Sequence, residues 1–124
     1  MPSQGRANRV ARRIQEELST LLLFEVSDPR LDGVFITYVK VDREFAYAEI
    51  FVSAIEGIER SEEILKGFQS ASGFLRTQLA HRINLRSFPQ LRFNWDPIPE
   101  NADRIDKLIA SLHKDDEPDS NEDE

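Results

Sequence analysis

The stretch Ile64–Arg86, ILKGFQSASGFLRTQLAHRINLR, decides how the rest of the chain is read. Two helical patterns meet in it. Ile64, Leu65 and Phe68 give an apolar face before Ala71-Ser72-Gly73, and Leu75, Leu79 and Ile83 give one after it at i, i+4 spacing. Glycine inside a straight helix costs about 1 kcal/mol against alanine, and Gly67 and Gly73 both lie in the pattern. The spacing therefore predicts two packed helices meeting at a kink at Ala71, Ser72 and Gly73. From Gly67 to Trp95 there is no Asp or Glu, while Arg76, Arg82, Arg86 and Arg92 are present. In a chain whose net charge is -7, that exclusion marks a basic zone.

Outward from this stretch, charge is segregated along the whole chain. Asp115–Glu124 holds seven acids and no base, so the remaining body has 16 basic and 16 acidic residues. Met1–Arg13 carries four arginines and no acid, and Ile14–Lys66 carries 5 basic and 12 acidic residues. A neutral body with two basic zones can bind a polyanion although the whole chain is acidic. At 124 residues the expectation is one domain over 1–114 followed by a disordered acidic tail over 115–124. A 40% hydrophobic and 31% charged composition suits one soluble core. No apolar run approaches the roughly 20 residues that span a bilayer, and the N-terminus lacks a signal-type apolar core. The absence of cysteine excludes disulfides and thiolate metal sites and suits the cytoplasm. The expected address is therefore cytoplasmic, without a membrane partner, and nothing in the sequence demands a dimer.

Upstream, Ala7, Val10, Ile14, Leu18 and Leu21 fall on one stripe at 100° per residue, predicting a helix over about 6–24. Arg6, Arg9 and Arg13 form a second stripe on its opposite face. Asp28-Pro29 ends that helix and Asp32-Gly33 makes a further turn. Val34–Val41 and Phe45–Ala54 are rich in β-branched and aromatic residues and predict an antiparallel hairpin. Ala46, Ala48, Ile50 and Val52 face one side, where small residues let a helix lie close. Ser61 can cap the following helix, with Glu62 and Glu63 in its first turn. Downstream, Pro89 opens an edge strand in which Leu91, Phe93 and Trp95 share a face and Arg92 and Asn94 take the other. Asn101 can cap a last helix with Ile105, Leu108, Ile109 and Leu112 as its apolar set. The predicted order is α-β-β-α-α-β-α: an α+β fold with helices on one face of a three-stranded sheet.

No catalytic constellation emerges. His81 and His113 sit in no HxxxH or HExxH pattern, so no metal site is expected. The residues 67–73, GFQSASG, do not form a G-x-S-x-G elbow, and there is no phosphate loop or dinucleotide fingerprint. The chain is read as a non-enzyme without a cofactor. The candidate function lies in the arginines. Arg76 and Arg82 lie on opposite flanks of the Leu75/Leu79/Ile83 stripe, so they do not make one basic stripe by themselves. Their stems either cover the core edge with solvated heads, or they join Arg86 and Arg92 in a surface that holds phosphates. Phe74 is expected to pack under the kink, and Trp95 to join the core.

The α-β-β-α-α-β order with a kinked helix pair is that of a type II KH domain, in which a GXXG loop clamps the nucleic-acid backbone. Glycines stand only at 5, 33, 57, 67 and 73, so no GXXG exists, and Ala71-Ser72-Gly73 occupies the junction instead. With Gly5-Arg6, Arg9-Val10, Asp28-Pro29-Arg30-Leu31, Ala46-Tyr47-Ala48 and the Pro89–Phe93 opening of the last strand, the chain resembles the ribosome-binding factor A family over roughly residues 5–112. The resemblance implies a KH-like fold in which an Ala-x-Gly kink replaces the loop. It also implies a non-enzymatic bacterial ribosome assembly factor that binds the free 30S small subunit. Such a factor promotes late maturation, including 5′-end processing of 16S rRNA, and serves cold adaptation. It assigns the acidic tail no fixed role. On this reading Arg6, Arg9, Arg13, Arg76, Arg82, Arg86 and Arg92 contact rRNA phosphates. Two other readings stay open: a module for free single-stranded RNA, and a protein-interaction domain that uses the acidic middle segment.

Overall fold

A computed structural model describes residues 4–97. Helix α1 spans Gln4–Phe24, strand β1 Val34–Val41, strand β2 Tyr47–Ala54, helix α2 Ser61–Arg82 and strand β3 Gln90–Trp95. One-turn 3-10 helices at Pro29–Leu31 and Ile58–Arg60 precede β1 and α2. The sheet order is β1-β2-β3, antiparallel between β1 and β2 and parallel between β2 and β3. A parallel pair needs a long crossover, and α2 supplies it. The α+β architecture and the single helical layer are as the sequence predicts. The expected last helix from Asn101 and the acidic tail lie outside the described residues.

One core joins the layers. Ala7, Ile14, Leu18 and Leu21 of α1 and Ile64, Phe68, Leu75 and Leu79 of α2 are fully buried against Ala48, Ile50 and Val52 of β2. Phe68 stacks on Phe93 of β3 with ring centroids 4.5 Å apart, so the Leu91/Phe93/Trp95 face turns to the helices. Tyr47, Glu49 and Phe51 point to the other side of the sheet, where β1 and β3 add Tyr38 and Arg92.

Ser61 is the first residue of α2 rather than its cap, which is Arg60 without a side-chain cap hydrogen bond, and three further local features differ from expectation. First, α2 is one continuous helix through Ala71, Ser72 and Gly73 and ends at Arg82, rather than two helices reaching Arg86. The reason is phase. Ile64, Phe68, Ala71, Leu75 and Leu79 follow one another at steps of four, three, four and four and make a single stripe on one rod. Burial of that stripe outweighs the roughly 1 kcal/mol cost of each glycine. Phe74 therefore points outward and is exposed instead of packing beneath a kink. Second, β2 starts at Tyr47 rather than Phe45. The Asp42 carboxylate accepts from the backbone N–H of Tyr47 at 2.7 Å and of Ala46 at 3.2 Å. Phe45 adopts a left-handed φ of 59° in the turn so closed. Third, the β1–β2 register shifts between Ile36 and Tyr38, which pair with Val52 and Phe51. The extra residue, Thr37, turns Tyr38 out beside Phe51.

Gly67 has a packing role that sequence reading missed. A Cβ there would lie 3.0 Å from Leu31 Cδ2 and 3.3 Å from Arg30 Cβ, so the absent side chain lets the Pro29–Leu31 turn rest on α2. Around Gly73 a Cβ would meet nothing within 4 Å among the described residues.

Candidate nucleic-acid interface

The arginine stripe of α1 stands where its periodicity puts it. Burial of Ala7, Val10, Ile14 and Leu18 turns Arg6, Arg9 and Arg13 to solvent. The first turn of α1 holds no acid to offset them, and cations there oppose the helix dipole by a few tenths of a kcal/mol each. Beside this stripe runs the loop 83–87, which begins where Ile83 turns extended and buries its side chain. A shallow depression between helix and loop is lined by Arg6, Arg9, Arg13 and Asn84 over a floor of Val10 and Ile83. A second depression shares Arg6 and Leu85 with it and adds Arg43, Phe45 and Arg86, with Glu44 as its single acid. The Arg6 guanidinium lies 5.1 Å from the centre of the Phe45 ring, a cation–π distance that ties α1 to the β1–β2 turn.

Five arginines thus border one surface drawn from three elements: Arg6, Arg9, Arg13, Arg43 and Arg86. Arg9, Arg43 and Arg86 make no ion pair among the described residues. Arg43, between the two predicted hairpin strands, is not among the arginines expected from sequence to contact phosphates. Only the fold brings this turn to the N-terminal half of α1.

The other predicted arginines are placed differently. Arg13 donates to Glu17 at 3.2 Å and to the backbone carbonyl of Arg82 at 3.0 Å. The Arg82 side chain donates to Gln78 Oε1 at 2.9 Å and stands 3.5 Å from Glu17. Arg13, Glu17 and Arg82 therefore clip α1 to the end of α2, and Arg13 also borders the open surface. Arg76 donates to the carbonyls of Phe88 at 2.6 Å and Pro89 at 3.1 Å, so its guanidinium is engaged in fixing the entry to β3. Arg92 lies on the far side of the sheet, 3.5 Å above the Tyr47 ring and 3.1 Å from Glu49. Tyr47 foremost, and the Glu49 carboxylate with it, hold the Arg92 guanidinium charged and raise its pKa above the ordinary value. Arg76 and Arg92 border neither depression.

Among the described residues no group of three or more His, Asp or Glu could hold a metal ion, and no helix is long and apolar enough to cross a membrane. What the surface offers is five arginines against one acid, Glu44, an excess of positive charge that suits phosphate groups and reads no base sequence by itself.

Comparison with known proteins places this geometry in a family. The family model "Ribosome-binding factor A" matches residues 6–109. The chain is similar to ribosome-binding factor A of Aromatoleum aromaticum, 36% identical over 118 residues, which is 94% of this chain and 93% of that one. Its fold is similar to the crystal structure of ribosome-binding factor A from Thermus thermophilus, with a TM-score of 0.58 and 22% identity over 75% of this chain and 94% of that one. It is also similar to a Thermus thermophilus ribosome binding factor A homology model fitted into the cryo-EM map of a 30S–RbfA complex. There the TM-score is 0.54 and the identity 23%, over 74% of this chain and 92% of that one. With the match running from the first arginine of α1 past the end of β3, the chain belongs to the ribosome-binding factor A family.

Proposed function

We propose that this protein is a non-catalytic assembly factor that binds the free 30S ribosomal subunit through phosphates of 16S rRNA. The observation that carries the reading is the arginine-bordered surface shared by α1, the β1–β2 turn and the loop 83–87, in a member of this family. A homology model of a relative has been fitted into the map of a 30S complex, which supports the small subunit as the target. Arg6, Arg9, Arg13, Arg43 and Arg86 make the phosphate contacts. Arg76 and Arg82 act on the same surface as positioning residues, by holding the loop and the helix ends beside it. Arg92, on the opposite sheet face, meets RNA only where the subunit wraps round that side. The protein acts in the cytoplasm, as a monomer, late in maturation and with 5′-end processing of 16S rRNA, and its loss is felt most in the cold.

The test is co-sedimentation with free small subunits, assembled ribosomes and protein-free RNA across a salt series. Retention by free small subunits alone is the expected result. Each phosphate contact removed should flatten the log–log salt dependence by roughly 0.7–0.9. Equal retention by any RNA would make the protein a general RNA-binding module instead.

A further inference from the structure

The end of the molecule away from the arginines carries the opposite chemistry. A groove of about 380 Å³ runs between the last turn of α1 and the start of β1, lined by the apolar Leu22, Leu23, Val26 and Phe35 and by the polar Ser19 and Asp32. Two of its lining side chains are large, apolar and exposed to water, Leu23 at 76% and Phe35 at 41%. A contiguous exposed apolar patch on a small domain marks an interaction surface. Its rim is acidic. Residues 22–36 and 55–63 hold seven acids and two arginines. Both arginines are engaged, Arg30 with Asp28 at 2.8 Å and Arg60 with Glu56 and Glu63 at 3.1 Å each. Glu25, Asp32 and Glu59 make no ion pair among the described residues. At Gly33, whose φ is 78°, the paired Glu56 and Arg60 both lie beside the mouth of the groove, 3.5 and 3.7 Å from where a Cβ would sit, so the unpaired acid lining it is Asp32.

We propose that this groove is a docking site for a basic polypeptide segment that places apolar anchors between Leu23 and Phe35 and its Lys or Arg side chains on Asp32 and on Glu25 beside Val26. The Asp32 carboxylate in the lining repels RNA phosphate, and no basic side chain lines the groove to attract it. A basic chain with apolar anchors satisfies both features at once. The site stands on residues apart from the arginine surface, so the two can be occupied together.

The test uses the isotope-labelled full chain in NMR titrations with two synthetic peptides of equal length, one alternating Leu and Lys and the other alternating Leu and Glu. The Leu–Lys peptide should move the amide resonances of Leu22, Gly33 and Phe35 and bind at least about tenfold more tightly than the Leu–Glu peptide. Leu23→Ser and Phe35→Ser should each weaken it by about tenfold or more. Leu23 is exposed, so its variant keeps the fold should Phe35→Ser fail to do so. Equal binding of both peptides would overturn the proposal, as would shifts confined to residues 115–124 or no shift at all. So would a uridine oligonucleotide that moves the same resonances, or groove shifts produced by diluting the protein alone, which would assign the groove to RNA or to a second copy of this chain.

Discussion

Two glycines of α2 look alike in sequence and act in opposite ways. Among the described residues nothing lies within 4 Å of where a Gly73 side chain would go, so Gly73→Ala should raise stability by about 0.5–1 kcal/mol through helix propensity and a less flexible unfolded chain. Gly67 lies against Leu31 and Arg30 in the Pro29–Leu31 turn, and the same substitution there must push the buried Leu31 aside. Overpacking of that kind costs about 1–3 kcal/mol, which cancels or reverses the propensity gain. Urea unfolding of the two variants should therefore place Gly73→Ala above Gly67→Ala by at least about 1 kcal/mol. Asp42 supports a second prediction. Hydrogen bonds from the N–H of Tyr47 first, and Ala46 after it, hold its carboxyl below the ordinary value of 3.8. The folded state thus favours the ionised form. The resulting stability is complete above about 3.8 and fades as pH falls through the lower folded value. Asp42→Ala should cost about 1 kcal/mol at neutral pH and flatten the acid limb of the stability curve, as followed by unfolding at a series of pH values.

At the scale of elements, α2 organises the molecule by meeting everything with one stripe. Phe68 is its centre, fully buried and stacked on Phe93, so Phe68→Ala should cost about 3–5 kcal/mol. Arg76 shows how an apparent binding residue can be a structural one. It satisfies two backbone carbonyls at the entry to β3, so Arg76→Met should leave buried acceptors short of a donor and cost about 1–3 kcal/mol. That loss is read in thermal unfolding, and the salt slope of RNA binding should stay nearly unchanged. The elements themselves were legible in the chain, because period-2 and period-3.6 patterns write burial directly. Val34–Val41, Tyr47–Ala54 and Gln90–Trp95 all fall within predicted strands. The division into two helices at Ala71-Ser72-Gly73 does not appear, because Phe68, Ala71 and Leu75 stay in step along the continuous helix Ser61–Arg82. The bulge at Thr37 left no signal, since a β-branched run reads the same with or without one extra residue.

At the scale of the whole molecule, charge is polarised along the axis of α1. Arginines gather at its start, and acids with bare apolar side chains gather at its end. Half of this was legible: the acid-free zone over 67–95 and the arginines of 6–13 are visible in the chain. Which arginines share a surface was not, because that depends on tertiary placement. Arg43 and Arg86 come from a turn and a loop that the fold brings to α1, while Arg76 is turned inward and Arg92 lies behind the sheet. The most direct measurement is co-sedimentation of the double variant Arg9→Glu/Arg86→Glu with free small subunits over a salt series, beside the unaltered chain and Arg92→Glu. Neither Arg9 nor Arg86 makes an ion pair among the described residues, so the fold and its thermal midpoint should persist. The account predicts weaker retention and a salt slope flattened by about 1.4–1.8 for the double variant, with a much smaller change for Arg92→Glu. An unchanged salt slope in the double variant, or an equal loss from Arg92→Glu, would contradict the assignment of the α1 surface as the face that meets the subunit.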